Sequence, residues 1–295
     1  MAMWPDAEID VDAALVRSLL AEQHPDLAHL PIRALSAGFD NTLWRVGDDL
    51  LARLPRRAVA AALAGHEQRW LPELAPRLPL PVPVPVRTGR PSGRYPWPWS
   101  IVPWLRGDPA DRTPIEHPAR AASQLGHFLR ALHRPAPHDA PRNPFRGVAL
   151  AQREAAFEQR LAALSGEVDV AALRGLWRHG LAAGAHCGPP MWIHGDLHPA
   201  NVLVHEGVLS AVIDFGDLGA GDPATDLAAA WMLLPLDQLS TFRAAYGAID
   251  AASQARALGW VVLLATMLLA IGLEGRPSYA EAARAALARA AAHPL

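Results

Sequence analysis

The chain contains no lysine, so all 27 of its basic residues are arginine. This absence excludes a phosphate-binding loop of the Walker type, whose motif requires a lysine. There is one cysteine, Cys187, so no disulfide can close within the chain, and a cytoplasmic setting is the expected one. Net charge is also scarce, at −2, and this balance points to neither a nucleic acid nor an anionic membrane surface as partner. No basic segment leads into an apolar one near the start, so no signal peptide is expected. The longest charge-free apolar run, Leu258 to Leu273, spans 16 residues. A membrane-crossing helix needs roughly 20, so this run reads as a buried helix of a helical core.

The 295 residues present are enough for one large or two modest domains. From Ile32 to Val102 the pattern is short and β-rich, with "GFDN" and "GDD" supplying turn residues between alternating runs. Three strands are predicted near 32–37, 42–47 and 49–54, then a helix over 57–74, a proline-rich extended connector, and a strand pair reaching "WSIVPWL". After Gly107 the texture becomes Ala-, Leu- and Arg-rich, with helices predicted near 114–133, 150–164, 169–185, 222–233, 238–248, 251–273 and 278–291. Only "MWIHGD", "NVLVHEG" and "LSAVIDFG" interrupt that half as short strands. The fold class is therefore α+β, with a small β-rich lobe over residues 1–104 and a larger, mainly helical one over 105–295.

The densest chemistry lies in "WIHGDLHPANVLV", Trp192 to Val204. His194 and His198 have zinc-helix spacing, but Gly195 between them and Pro199 after them disfavour a helix, and Gly195 occupies the place of a zinc peptidase's general base. "GAGDPA" at Gly219 to Ala224 fits a dinucleotide fingerprint only formally, because it lacks the preceding strand and unit length. Phosphoryl transfer fits better. Asp196 precedes Asn201 by five residues, the interval of the protein-kinase catalytic loop, where the aspartate orients the acceptor hydroxyl and the asparagine binds magnesium. Asp214-Phe215-Gly216 begins thirteen residues after Asn201, and the intervening segment reads as a hairpin turning at Glu206-Gly207. Such a hairpin brings Asn201 and Asp214 together at its open end, where both could hold a magnesium ion against nucleotide phosphates. Only twelve residues separate Asp214 from Asp226, too few for the activation segment of a protein kinase, so the expected acceptor is a small molecule.

With "HGDLHPAN", "VIDFGD" and "GDPATDLA" in order, the sequence resembles the aminoglycoside phosphotransferase family of kinase-like small-molecule kinases, a group that includes macrolide phosphotransferases. "AGFDNTLWRVGDDLLARLPR" and "LPLPVPVP" extend a weaker similarity over most of the rest. The resemblance implies a bilobal protein-kinase-like fold, ATP or GTP as phosphoryl donor with magnesium, and an antibiotic or other hydroxyl-bearing acceptor. It implies Asp196 as the catalytic residue, Asn201 and Asp214 as metal ligands, and Gly38 with backbone amides near Asn41 over the phosphates. Arg53 stands where the family usually has lysine; it keeps the charge and offers a planar fork, with Glu67 as its expected partner. Backbone groups of Val102 and Trp104 are expected to face the nucleotide base, Pro103 having no amide hydrogen. His194 is read as fixing the loop backbone. His198 is read as packing the loop or contacting phosphate, Asp226 as bonding the catalytic loop or the helix start, and Asp217 as a candidate for the acceptor site. A non-catalytic binding module of the same fold is the rival reading, and a metabolite kinase is a third.

Overall fold

Asp12 opens the first helix, α1 (Ala13–Gln23), by accepting a hydrogen bond from the Leu15 amide at 2.7 Å. The computed structural model of this protein describes residues 6–293. After α1 come three strands, β1 (Ile32–Ala37), β2 (Asn41–Val46) and β3 (Leu50–Pro55), then helix α2 (Ala58–Leu74) and strands β4 (Arg87–Gly89) and β5 (Trp99–Pro103). They form an antiparallel sheet in the order β1-β2-β3-β5-β4. Because side chains alternate across a strand, Trp44 and Val46 of β2, Ala52 and Leu54 of β3, and Trp99 and Ile101 of β5 share one buried cluster with Val16, Leu19 and Leu20 of α1. Each large apolar side chain buried there contributes about 1.5–3 kcal/mol. Arg53, between Ala52 and Leu54, points to the opposite face, where Glu67 of α2 meets it.

Contacts divide the chain into two units. One holds the sheet just described, with Val82–Leu105 joined to the chain up to Pro76; the other holds Arg77–Pro81 and Arg106–Leu295. In the second unit the order is β6 (Asp108–Pro109), α3 (Pro118–Leu132), α4 (Glu154–Ala163), α5 (Val170–Ala182), β7 (Met191–Ile193), β8 (Val202–His205), β9 (Val208–Val212) and β10 (Gly219–Gly221). The helices α6 (Ala224–Leu227), α7 (Ala229–Leu233), α8 (Leu239–Tyr246), α9 (Ala251–Leu273) and α10 (Pro277–Ala291) follow. The apolar run lies in α9, which packs against α10 and α5. Among the described residues this is the one helix long and apolar enough to cross a membrane, and 78% of its apolar window is buried inside the protein.

The helix expected over 222–233 is instead two, α6 and α7. Trp231 N bonds Ala228 O at 3.1 Å, a three-residue bond that tightens the turn between them. Two short strands carry no periodicity of their own and owe their form to partners: β6 pairs with β8, and β10, part of the "GAGDPA" stretch, pairs with β7. The hairpin β8–β9 turns at Glu206-Gly207, with φ of 51° and 71°, the pair of positive values that a two-residue type I′ turn demands. Glycine serves the second position doubly, because a Cβ there would stand 2.7 Å from Glu116 Cβ.

Candidate functional site

Strand β7 delivers the chain to a non-helical loop, His194 to His198, which lacks the geometry of a zinc helix. Gly195 takes φ +86°, and a Cβ on it would lie 2.6 Å from the Asp217 carbonyl oxygen, so the loop can turn there only without a side chain. The loop's backbone is held by Asp226, fully buried at the start of the α6–α7 pair. Its Oδ2 accepts from His194 N at 2.6 Å and its Oδ1 from Gly195 N at 2.9 Å. His133, just after α3, adds a third contact, Nε2 to Asp226 Oδ2 at 3.2 Å, and its Nδ1 meets the Tyr246 hydroxyl at 2.9 Å. Of the two roles read for Asp226, the structure displays the first: it bonds the His194–His198 loop.

His194 fixes the loop from within. Its Nδ1 accepts from the Asp196 amide at 3.2 Å, which leaves the proton on Nε2, facing the Ile213 carbonyl at 2.9 Å. Asn201 donates Nδ2 to the Asp196 carbonyl at 2.9 Å, and its own carbonyl accepts from Ile213 N at 2.9 Å. The residue after Ile213 is Asp214, so the hairpin's open end holds Asn201 one residue, and Asp214 two residues, beyond the Val202 and Val212 pair. With its amide nitrogen engaged, Asn201 keeps Oδ1 as a hard-oxygen ligand. Asp214 has φ 63° and ψ 68°, left-handed values uncommon outside glycine, asparagine and aspartate that store of order 1–3 kcal/mol of strain. Asn201 and Asp214 form an oxygen donor set that suits magnesium, which is bound through one or two protein oxygens plus phosphates and water. No cluster of three histidine, cysteine or acidic side chains able to cage a metal by itself occurs among the described residues.

His198 departs from one of its two expected roles. Its Nδ1 accepts from Ala200 N at 3.3 Å and its Nε2 stands 3.4 Å from Asp196 Oδ2, so both ring nitrogens face protein groups and neither is presented to a phosphate. It packs the loop.

Asp196 itself has an unforeseen partner. Arg146 Nη2 lies 2.9 Å from Asp196 Oδ1, and Arg146 Nε lies 3.2 Å from Asp217 Oδ2, while Asn143 Nδ2 donates to Asp217 Oδ1 at 2.7 Å. Burial by itself would raise the Asp196 carboxyl, but Arg146, with His198 and His194 beside it, outweighs burial and holds it well below the usual carboxylate range. Asp217 goes the other way: burial, Asp196 and Asp214 push it up against the opposing pull of Arg146 and Asn143. Nothing in the "NPFR" stretch marks Arg146 in advance, because its role exists only through residues 50 and 71 positions away that the fold brings to it.

In the first unit, Arg53 and Glu67 form a two-pronged ion pair, Nη1 to Oε2 at 2.8 Å and Nη2 to Oε1 at 3.1 Å, both side chains buried. The turn Gly38 to Asn41 is closed by Gly38 N donating to Asn41 O at 2.8 Å, so Gly38 shapes the turn and does not offer its own amide to a phosphate. Trp104 also departs from expectation: its amide donates to the Asp49 carbonyl at 2.7 Å, within the sheet. By strand alternation Val102 also faces β3, paired with Leu51, and the backbone group turned to the opposite edge is the Pro103 carbonyl.

A five-stranded sheet with a buried cation–carboxylate pair, and a helical unit with an aspartate, an asparagine and a second aspartate around one hairpin, define a kinase-like phosphotransferase. The chain belongs to the phosphotransferase enzyme family, whose model matches residues 31–261. Among solved structures it is similar to a macrolide 2'-phosphotransferase from Brachybacterium faecium in its apo form, at 26% identity and TM-score 0.60, covering 96% of this chain and 99% of that one. The GDP complex of the wild-type aminoglycoside 2'-phosphotransferase-IIIa is similar at 20% identity and TM-score 0.68, covering 95% and 99%. A related enzyme solved with GDP and kanamycin is 20% identical at TM-score 0.65, covering 93% and 97%. No curated protein matches the sequence.

Proposed function

We propose that this phosphotransferase moves the terminal phosphoryl group of ATP or GTP to a hydroxyl of a small molecule, with antibiotics as the acceptor class and the cytoplasm as its setting. The observation that supports this most is the hairpin end, where Asn201 is bonded to the Asp196 carbonyl and to the amide of Ile213, the residue before Asp214. Asp196 orients the acceptor hydroxyl and takes its proton as the oxygen attacks the terminal phosphorus and the bond to the bridging oxygen breaks. Asn201 and Asp214 would hold magnesium, which neutralises charge on the phosphates when bound. Arg53, clamped by Glu67, would grip phosphate oxygens, and the Pro103 carbonyl replaces Val102 and Trp104 as the group offered to the base. The 26% identity to a macrolide enzyme supports including macrolides among the acceptors to try.

The test is nucleoside diphosphate release with magnesium, measured against macrolides, aminoglycosides, nucleosides and sugars. Asp196→Asn should lower turnover by about 10²-fold or more with nucleotide affinity nearly unchanged. Alanine at Asn201 or Asp214 should weaken nucleotide binding far more with magnesium than with EDTA. A folded Asp196→Asn protein with full turnover would overturn the assignment.

A further inference from the structure

Next to Asp196 lies a cavity of about 140 Å³ whose charged lining is Arg146, Arg153, Arg160 and Asp217. Three guanidinium groups thus meet one carboxylate. Arg146 is spent on Asp196 and Asp217, and the other two have no acidic partner among the described residues. Arg160 reaches only the Leu263 carbonyl at 3.3 Å, and Arg153 lies over the Phe145 ring at 5.1 Å with its buried Nε unbonded. Unpaired, half-buried cations are costly, and a protein that keeps two beside a third has left a place for negative charge. Burial first, then repulsion from Arg146, lowers the proton affinity of Arg153; Arg160 is lowered by burial and by both neighbours. Leu263 and Met267 supply an apolar wall suited to a carbon skeleton.

We infer that this cavity is an anion subsite, so that the molecule phosphorylated carries, besides its hydroxyl, a carboxylate or phosphate ester held by Arg146, Arg153 and Arg160. The inference rests on the phosphotransferase reading above and moves its acceptor from the cationic antibiotics to an anionic molecule. A polycationic drug finds no partner in this corner.

Matched acceptors separate the possibilities: glucose, glucuronate, glucosamine and glucose 6-phosphate, with a parallel series of a nucleoside and its 5′-monophosphate, and a macrolide and an aminoglycoside as cationic members. Diphosphate release and calorimetric binding are measured for each, and magnesium-dependent nucleotide hydrolysis without acceptor is the control. Acidic members should exceed their neutral partners in kcat/KM, or in affinity where turnover is absent, by about tenfold or more. Whether carboxylates or phosphates lead tells which oxyanion is used. The acid-to-neutral ratio should collapse toward one in Arg153→Gln/Arg160→Gln, and Arg153→Glu should shift preference toward the amine. Equal or better use of neutral or cationic members overturns the inference, as does failure of every acidic member to bind below about 1 mM. If hydrolysis persists in that case, the kinase assignment survives; loss of hydrolysis and transfer together would sink the kinase assignment instead.

Discussion

Two ion pairs, a buried one in the sheet unit and a half-buried one in the helical unit, are built by opposite means. Arg53 and Glu67 sit 14 positions apart on a strand and the helix that follows it, and close on each other in a two-pronged pair. Arg146 and Asp196 are 50 positions apart, and the loop that carries Asp196 is itself pinned by Asp226, more than 30 positions further on, and by His133 behind it. The sheet unit makes its charged pair from neighbouring elements, whereas the helical unit assembles its own from four separate stretches of chain. Local construction makes a pair that survives small shifts elsewhere. Assembly from distant segments couples the chemistry to the integrity of the whole unit.

Changes at four residues test this contrast. The largest effect should come from Asp226→Ala, which strips two buried loop amides and His133 of their acceptor and should cost about 3–5 kcal/mol, read as a fall in the urea midpoint together with loss of turnover. A normal midpoint would mean the loop is held by its local bonds alone. Next, Arg53→Ala should cost roughly 2–4 kcal/mol of transition-state stabilisation, with Arg53→Lys restoring only part because an ammonium cannot span both Glu67 oxygens and a phosphate. Glu67→Ala should cost less, and the double change less than the sum, since both break one unit. Strict additivity would separate the two residues.

The smallest effect belongs to Arg146→Gln, about 1 kcal/mol, and it carries a pH signature. Asp196 has a carboxyl depressed in the folded state. The stability it contributes is therefore fully present above the unfolded value near 3.9 and disappears as the pH falls toward the folded one. The advantage of the native chain over Arg146→Gln should accordingly be largest above about pH 5 and narrow on acidification, in urea titrations at stepped pH. A gap that stays constant with pH would show that Arg146 stabilises by packing.

Sequence alone determined whatever rests on near neighbours. Alternation marks β1 to β3, the glycine at the tip marks the β8–β9 hairpin, and the spacing of Asp196, Asn201 and Asp214 marks the hairpin's open end, because strands and tight turns obey short-range rules. Arg53 with Glu67 was legible for the same reason, one strand followed by one helix. Tertiary structure alone decided the rest. The strands β6 and β10 exist only because partners from far along the chain supply their hydrogen bonds. The Trp104 amide is consumed by Asp49, a matter of sheet register that composition does not encode. His198 turns inward because Ala200 and Asp196 surround it. Arg146, Arg153 and Arg160 look like ordinary helix and loop arginines in a sequence whose every cation is arginine, and they acquire meaning only when folding gathers them beside Asp217, because electrostatic interaction depends on distance in space and not along the chain.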